Sequence, residues 1–185
     1  MTDGRYLRLG SGAEAGGTSD EDEVRRAALG AEFLVAHGIG RGPPGWVLEA
    51  MAAGSRTLLF PANQGGAAAA GVRAGPTLTG EWYLVRDLLP SPLAAGLAGA
   101  DLTGLPPLTN ILPRLGSKSG ADALQLQFQG GGAAEAALVL NEDLGRRSAV
   151  MLASGFWRWA FREGPDRQVY RRLWAGVAGW LLAFT

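Results

Sequence analysis

Residues 145–182 read GRRSAVMLASGFWRWAFREGPDRQVYRRLWAGVAGWLL, and the fold is decided here. After Arg147 the chain runs Ser-Ala-Val-Met-Leu-Ala as far as Ala153. That is the composition of a strand with both faces in the core, since neither side carries a group that needs water. Gly155 breaks the run. Phe156, Trp157, Trp159 and Phe161 follow, too dense in aromatics for a solvated loop, and predict a short helical turn. Gly164-Pro165-Asp166 resets the chain, and Pro165 suits the first position of a helix, where its missing N–H is no loss. Beyond it Tyr170, Leu173, Trp174, Val177 and Leu181 recur at helical spacing and predict a single apolar face. Arg167, Arg171 and Arg172 lie near its start and mostly off that face.

Working outward, Leu124, Leu126 and Phe128 alternate with Gln125, Gln127 and Gln129, the pattern of a half-buried strand. Residues 136–140 form a second apolar strand, joined to residues 147–153 across a tight connection at 141–145. Together they predict an antiparallel meander. Upstream, residues 33–36 read as a strand and residues 46–53 as a helix stopped by Gly54. Residues 57–60 read as the next strand, which completes a short parallel crossover. Residues 62–122 hold Gly65, Gly71, Pro90, Pro92, Pro106 and Pro107 and predict a long irregular insertion anchored by Trp82, Tyr83, Leu84 and Val85. Residues 1–19, rich in Gly, Ser and Thr, are expected to be flexible. The acidic run Asp20-Glu21-Asp22-Glu23 then precedes Val24, Ala27, Ala28 and Leu29, which marks a helix start, with Ser19 and Asp22 resembling a capping box. An acidic metal cluster is the competing reading of the same run. The whole reads as one domain, residues 1–185.

Composition narrows the function. Basic and acidic residues both number 17, so the formal charge is zero, against a nucleic-acid partner and against a polybasic membrane patch. Cysteine is absent, which removes disulfides and thiolate metal sites. No apolar run reaches the length of about 18 residues that spans a bilayer, and the N-terminal sequence MTDGRYLRLGSG lacks the apolar centre of a signal peptide. The ending Ala183-Phe184-Thr185 is compatible with a fragment of a longer protein.

Three constellations are candidates for chemistry. Gly40-Arg41-Gly42-Pro43-Pro44-Gly45 matches G-x-G-x-x-G between a strand and a helix. However, Pro43 and Pro44 remove N–H groups from the phosphate cradle, and the next strand ends Phe60-Pro61-Ala62-Asn63 with no acid for a ribose, so a tight turn without cofactor is expected. Ser154 stands where a nucleophile elbow would, but Leu152 and Phe156 replace its glycines. His37, the only histidine, ends a strand and makes a poor metal site alone. No catalytic set and no metal site can be assembled. Trp157, Arg158 and Trp159 are the most distinctive residues, either wedged between sheet and last helix or exposed as a hot spot for a protein partner.

Gly145-Arg146, the strand Val150-Met151-Leu152, Trp157-Arg158-Trp159 and the helix-ending pair Trp180-Leu181 together resemble the end of a class I glutamine-amidotransferase-like domain. That flavodoxin-like domain belongs to uncharacterised bacterial membrane proteins that carry von Willebrand factor A domains. Residues 32–61 follow the same plan more weakly, Trp82 and Leu105-Pro106-Pro107-Leu108 match loosely, and residues 1–30 have no counterpart. The resemblance implies a three-layer α/β sheet, parallel strands continued by the antiparallel meander and closed by the last helix. It also implies a soluble domain of a bacterial envelope protein. Active members use a Cys nucleophile with His and Glu; a chain without Cys lacks the thiolate that the reaction needs. The expected function is therefore a non-enzymatic scaffold or protein-interaction domain. The alternative is a small-molecule-binding or hydrolytic enzyme using a crevice at the carboxyl ends of the parallel strands, lined by His37, Gly40, Gly42, Asn63 and Gln64.

Overall fold

The computed structural model describes residues 20–41, 44–88, 90–116 and 120–183. Residues 1–19, expected to be flexible and including Ser19, lie outside them, as do Gly42 and Pro43. The helices are α1 (Glu21–Leu29), α2 (Gly45–Ala52), α3 (Gln64–Ala69), α4 (Pro92–Leu97), α5 (Trp157–Phe161) and α6 (Pro165–Leu182). The strands are β1 (Phe33–Ile39), β2 (Arg56–Pro61), β3 (Leu78–Leu84), β4 (Leu108–Ile111), β5 (Ala121–Phe128), β6 (Glu135–Asp143), β7 (Arg146–Met151) and β8 (Ala153–Ser154). All eight strands join one sheet in the order β1-β2-β7-β6-β5-β3-β4-β8.

β1, β2 and β7 run parallel, and every other neighbouring pair is antiparallel. The crossover β1-α2-β2 and the meander β5-β6-β7 are the elements the sequence pattern predicts. β7 belongs to both. It pairs Ala149 with Leu58 of β2 on one side and with Leu140 of β6 on the other. Its successive residues feed opposite faces. Leu58, Leu138, Leu140, Ala149 and Met151 belong to one core with residues of α4 and α6 and with Trp159 of α5. Leu59, Val139, Val150 and Leu152 belong to a second core with Val47 of α2 and Ala67 of α3. In-register partners thus share a face, which is what pins a strand against slipping by one residue.

Residues 62–122 depart from the expected loop, for they supply α3, β3, α4 and β4. Their turn residues act as caps on short elements. Asn63 Oδ1 accepts from Gly66 N at 3.1 Å at the start of α3, and Ser91 Oγ accepts from Ala94 N at 3.3 Å at the start of α4, where Pro92 sits in the first turn. Periodicity cannot reveal elements this short, and Pro90-Ser91-Pro92 reads equally well as a loop. The two added strands also change the shape. β8 follows β7 after a single residue yet pairs with β4 at the far end of the order. Leu152, the residue between, donates to Ala137 O at 2.8 Å and accepts from Leu112 N at 2.8 Å. The antiparallel half therefore curls until it meets the continuation of its own first strand, whereas the parallel half stays open.

At the start of α1 Asp20 occupies the cap position without a side-chain cap bond, so the acidic first turn acts through its charge near the helix N-terminus rather than through a capping box. α1 is tied to α2 by the pair Arg25–Glu49 at 3.0 Å. α6 buries Val169, Leu173, Val177 and Leu181, one residue in every four. Tyr170 and Trp174, expected on that stripe, flank it half-buried. The far end of α6 is held by Arg147, whose Nη1 donates to Trp180 O at 2.8 Å and to Ala183 O at 3.0 Å. Its Nη2 reaches Glu142 at 3.2 Å. A cation on the last carbonyls of a helix meets its partial negative charge.

Two expectations follow. The β6–β7 turn places Leu144 at φ 48° and Gly145 at φ 77°, and the Leu144 side chain is almost wholly exposed. A leucine in the left-handed region costs about 1–2 kcal/mol, and two-residue turns of this hand favour Asn-Gly. Leu144→Asn should therefore raise stability by about 1 kcal/mol in urea denaturation. Trp174 packs on Phe60, Phe156 and Tyr170 with ring centroids 5.9, 6.0 and 5.8 Å away. Trp174→Ala should lower stability by about 3 kcal/mol in the same measurement, and a change within about 0.5 kcal/mol would mean that α6 is not part of the core.

Candidate interaction surface

The carboxyl ends of β1 and β2 are where an open parallel sheet would place a ligand. Here the backbone of α3 approaches them closely. α3 starts directly beneath Ile39, and a Cβ built on Gly66 would lie 1.9 Å from the Ile39 carbonyl oxygen. Only glycine permits this approach. One on Gly65 would lie 2.9 Å from Arg41, and the Ile39 carbonyl also accepts from Ala62 N at 2.8 Å. The start of α3 therefore packs directly on the backbone of Ile39 and on Arg41.

The residues expected to line a crevice there are used separately. His37 is exposed on β1 beside the bulge at Gly38, with its ring 5.3 Å from that of Phe60. Phe60 in turn packs on Trp174 of α6. Asn63 turns its side-chain oxygen to Gly66 N of α3, on the opposite side of the sheet. Gly40 lies beside Asn63, Gln64 is exposed, and Gly42 is outside the described residues. Ser154 sits in β8 opposite Asn110. Among the described residues no three of His, Asp and Glu converge as metal ligands. A concavity of about 580 Å³ lies along α1 instead, lined by Asp20, Asp22, Arg25, Arg26 and Leu29, and Arg25 there is already paired with Glu49.

The Trp-Arg-Trp motif, by contrast, is built into a specific joint. Trp159 is 1% exposed, and its indole N–H donates to Pro106 O at 2.8 Å. Arg158 Nη1 donates to Pro107 O at 3.2 Å. Leu105 and Leu108, on either side of the two prolines, are buried in the same core. Proline suits the receiving segment because it has no N–H to satisfy and a fixed φ, so the two carbonyls are presented without a competing donor between them. The segment is introduced by a turn in which Asp101 Oδ1 accepts from the Thr103 hydroxyl and from Thr103 N. The hydroxyl bond first, and the backbone bond second, hold the Asp101 carboxyl below its usual range. Leu105-Pro106-Pro107-Leu108 and Trp157-Arg158-Trp159, about fifty residues apart, are the two halves of one contact.

The motif therefore divides. Trp159 is core, packed edge-on to Phe156 at 5.1 Å. Trp157 is 59% exposed and Phe161, one helical turn on, is 82% exposed, their rings edge to face at 6.1 Å. The Arg158 guanidinium lies 5.6 Å from the Trp157 ring centroid, a cation–π distance. The sequence reading marked Trp157, Arg158 and Trp159 and did not single out Phe161, although its spacing from Trp157, four residues along a helical turn, was the available signal. Comparison of the chain with family models, with curated proteins and with solved structures gives no match.

Trp159→Ala should cost about 3–5 kcal/mol, because it empties core volume and leaves the Pro106 carbonyl without its donor. Trp157→Ala should stay within about 0.5 kcal/mol of wild type. Equal losses at both positions in chemical denaturation would contradict the division between core and surface.

Proposed function

We propose that this chain is a non-enzymatic protein-interaction domain, related to the class I glutamine-amidotransferase-like domains of bacterial membrane proteins that carry von Willebrand factor A domains. On that reading its sheet is a modified flavodoxin-like one, its parallel part kept and its antiparallel part enlarged. On the same reading its setting is the bacterial envelope, and among the described residues no helix is long and apolar enough to cross a membrane itself.

The carrying observation is an exposed aromatic pair on an anchored mount, Trp157 and Phe161 on α5. α5 is fixed to the body by Trp159 and Arg158, so Trp157 and Phe161 are presented in a set geometry and lose little further freedom on binding. Large aromatics beside arginine are the residue types that dominate binding energy at protein interfaces. The chain also has no cysteine, and so no thiolate for the thioester chemistry of active amidotransferases. The rival reading, a small-molecule enzyme using His37 and Asn63, is less favoured because Asn63 Oδ1 is turned to Gly66 N, on the side of the sheet away from the Phe60 ring beside His37.

Incubation with glutamine should release no more ammonia than a heat-killed control, and calorimetry with NAD or ATP should give no saturable heat. Ammonia above the control, or a micromolar Kd for either nucleotide, would overturn the reading and promote the rival.

A further inference from the structure

The exposed side of α5 carries more than apolar area. Trp157 and Phe161 form one stripe of the turn, and Arg158 and Arg162 are the next residue in each case. Each exposed aromatic is thus followed in the chain by an arginine, Arg158 within α5 and Arg162 at its extended C-cap. Arg162 reaches Asp166 at 3.3 Å, yet its side chain remains 61% exposed. Residues 157–172 hold five arginines, namely Arg158, Arg162, Arg167, Arg171 and Arg172, against two carboxylates, Glu163 and Asp166, in a chain whose formal charge is zero. One of those carboxylates is the one that Arg162 holds. Positive charge is therefore in excess along this stretch of chain, with Arg158 set directly against the Trp157 ring.

Resting on the reading of this domain as an interaction module, we propose that α5 docks an acidic segment of a partner protein. The partner's apolar side chains sit on Trp157 and Phe161, and its carboxylates on Arg158 and Arg162. Arginine suits that role because its planar fork of N–H donors matches a carboxylate while its face stacks on an aromatic ring. Arg158 is set in advance, since Pro107 O takes one donor and Trp157 lies beside the guanidinium. Opposite charge across the contact speeds encounter and rejects basic partners. The zero charge of the whole chain tells against a nucleic acid as occupant.

The experiment presents the full chain to an array of short synthetic peptides. Each peptide holds a Trp-Leu pair, and the flanking positions step from all Glu to all Lys. Retention should rise with the number of Glu residues and fall with added salt. Phe161→Ala and Arg162→Glu should each weaken it about tenfold or more, with thermal midpoints unchanged. Retention that depends on Phe161 but is indifferent to peptide charge would overturn the acidic partner while leaving the interaction reading in place. Absence of retention on every peptide, or retention untouched by either variant, would overturn both. Preference for phosphatidylserine vesicles over every peptide, or a dimer in sedimentation that Arg162→Glu disperses, would assign the surface to a membrane or to a second copy and overturn the proposal.

Discussion

Everything in this fold is referred to one buried strand. β7 lies between a parallel neighbour and an antiparallel one, and its residues Ala149, Val150 and Met151 are inaccessible on both faces. Those three positions, unlike Arg147 and Ser148 at the start of the strand, can carry no polar side chain without leaving it unpaired, and their side chains alternate between two cores that differ in size. Alanine, valine and methionine meet both demands. Because the parallel and antiparallel halves share only this strand, its register sets theirs. Leu58 and Leu138 reach the same core, and Leu59 and Val139 the other, only while Ala149 and Val150 hold their places.

The chain leaving β7 then does two further things within ten residues. It re-enters the sheet as β8, which closes the antiparallel half, and it forms α5, which clasps the Leu-Pro-Pro-Leu segment. The clasp is a trade of carbonyls for donors. Two prolines without N–H groups present two carbonyls, and one indole and one guanidinium supply the donors. Its effect on function is indirect. It spends Trp159 on the core and leaves Trp157 and Phe161 outside, where their exposure has no structural purpose among the described contacts.

The opposite choice is made at the other end of the sheet. Glycines 65 and 66 follow β2 and make room for backbone, where glycines after a strand can equally make room for phosphate. A pattern of glycines after a strand cannot distinguish these cases, because both require an approach closer than a Cβ allows.

Local physics was enough for several elements. The two-sided apolar run of β7, the alternation of β5, the crossover from β1 to β2, and the Pro165 start and apolar stripe of α6 are all written in spacing and residue type. So is the absence of any thiolate, since the sequence holds no cysteine. What the sequence alone could not determine are the contacts between distant segments. α3, β3, α4 and β4 are too short to show a period, and their identity depends on partners that pairing supplies. The division of Trp157 from Trp159 depends on where residues 105–108 come to rest. The approach of Gly66 in α3 to the Ile39 carbonyl is of the same kind. Each is a long-range juxtaposition whose energy is gained only after the chain has folded, so tertiary structure decided it.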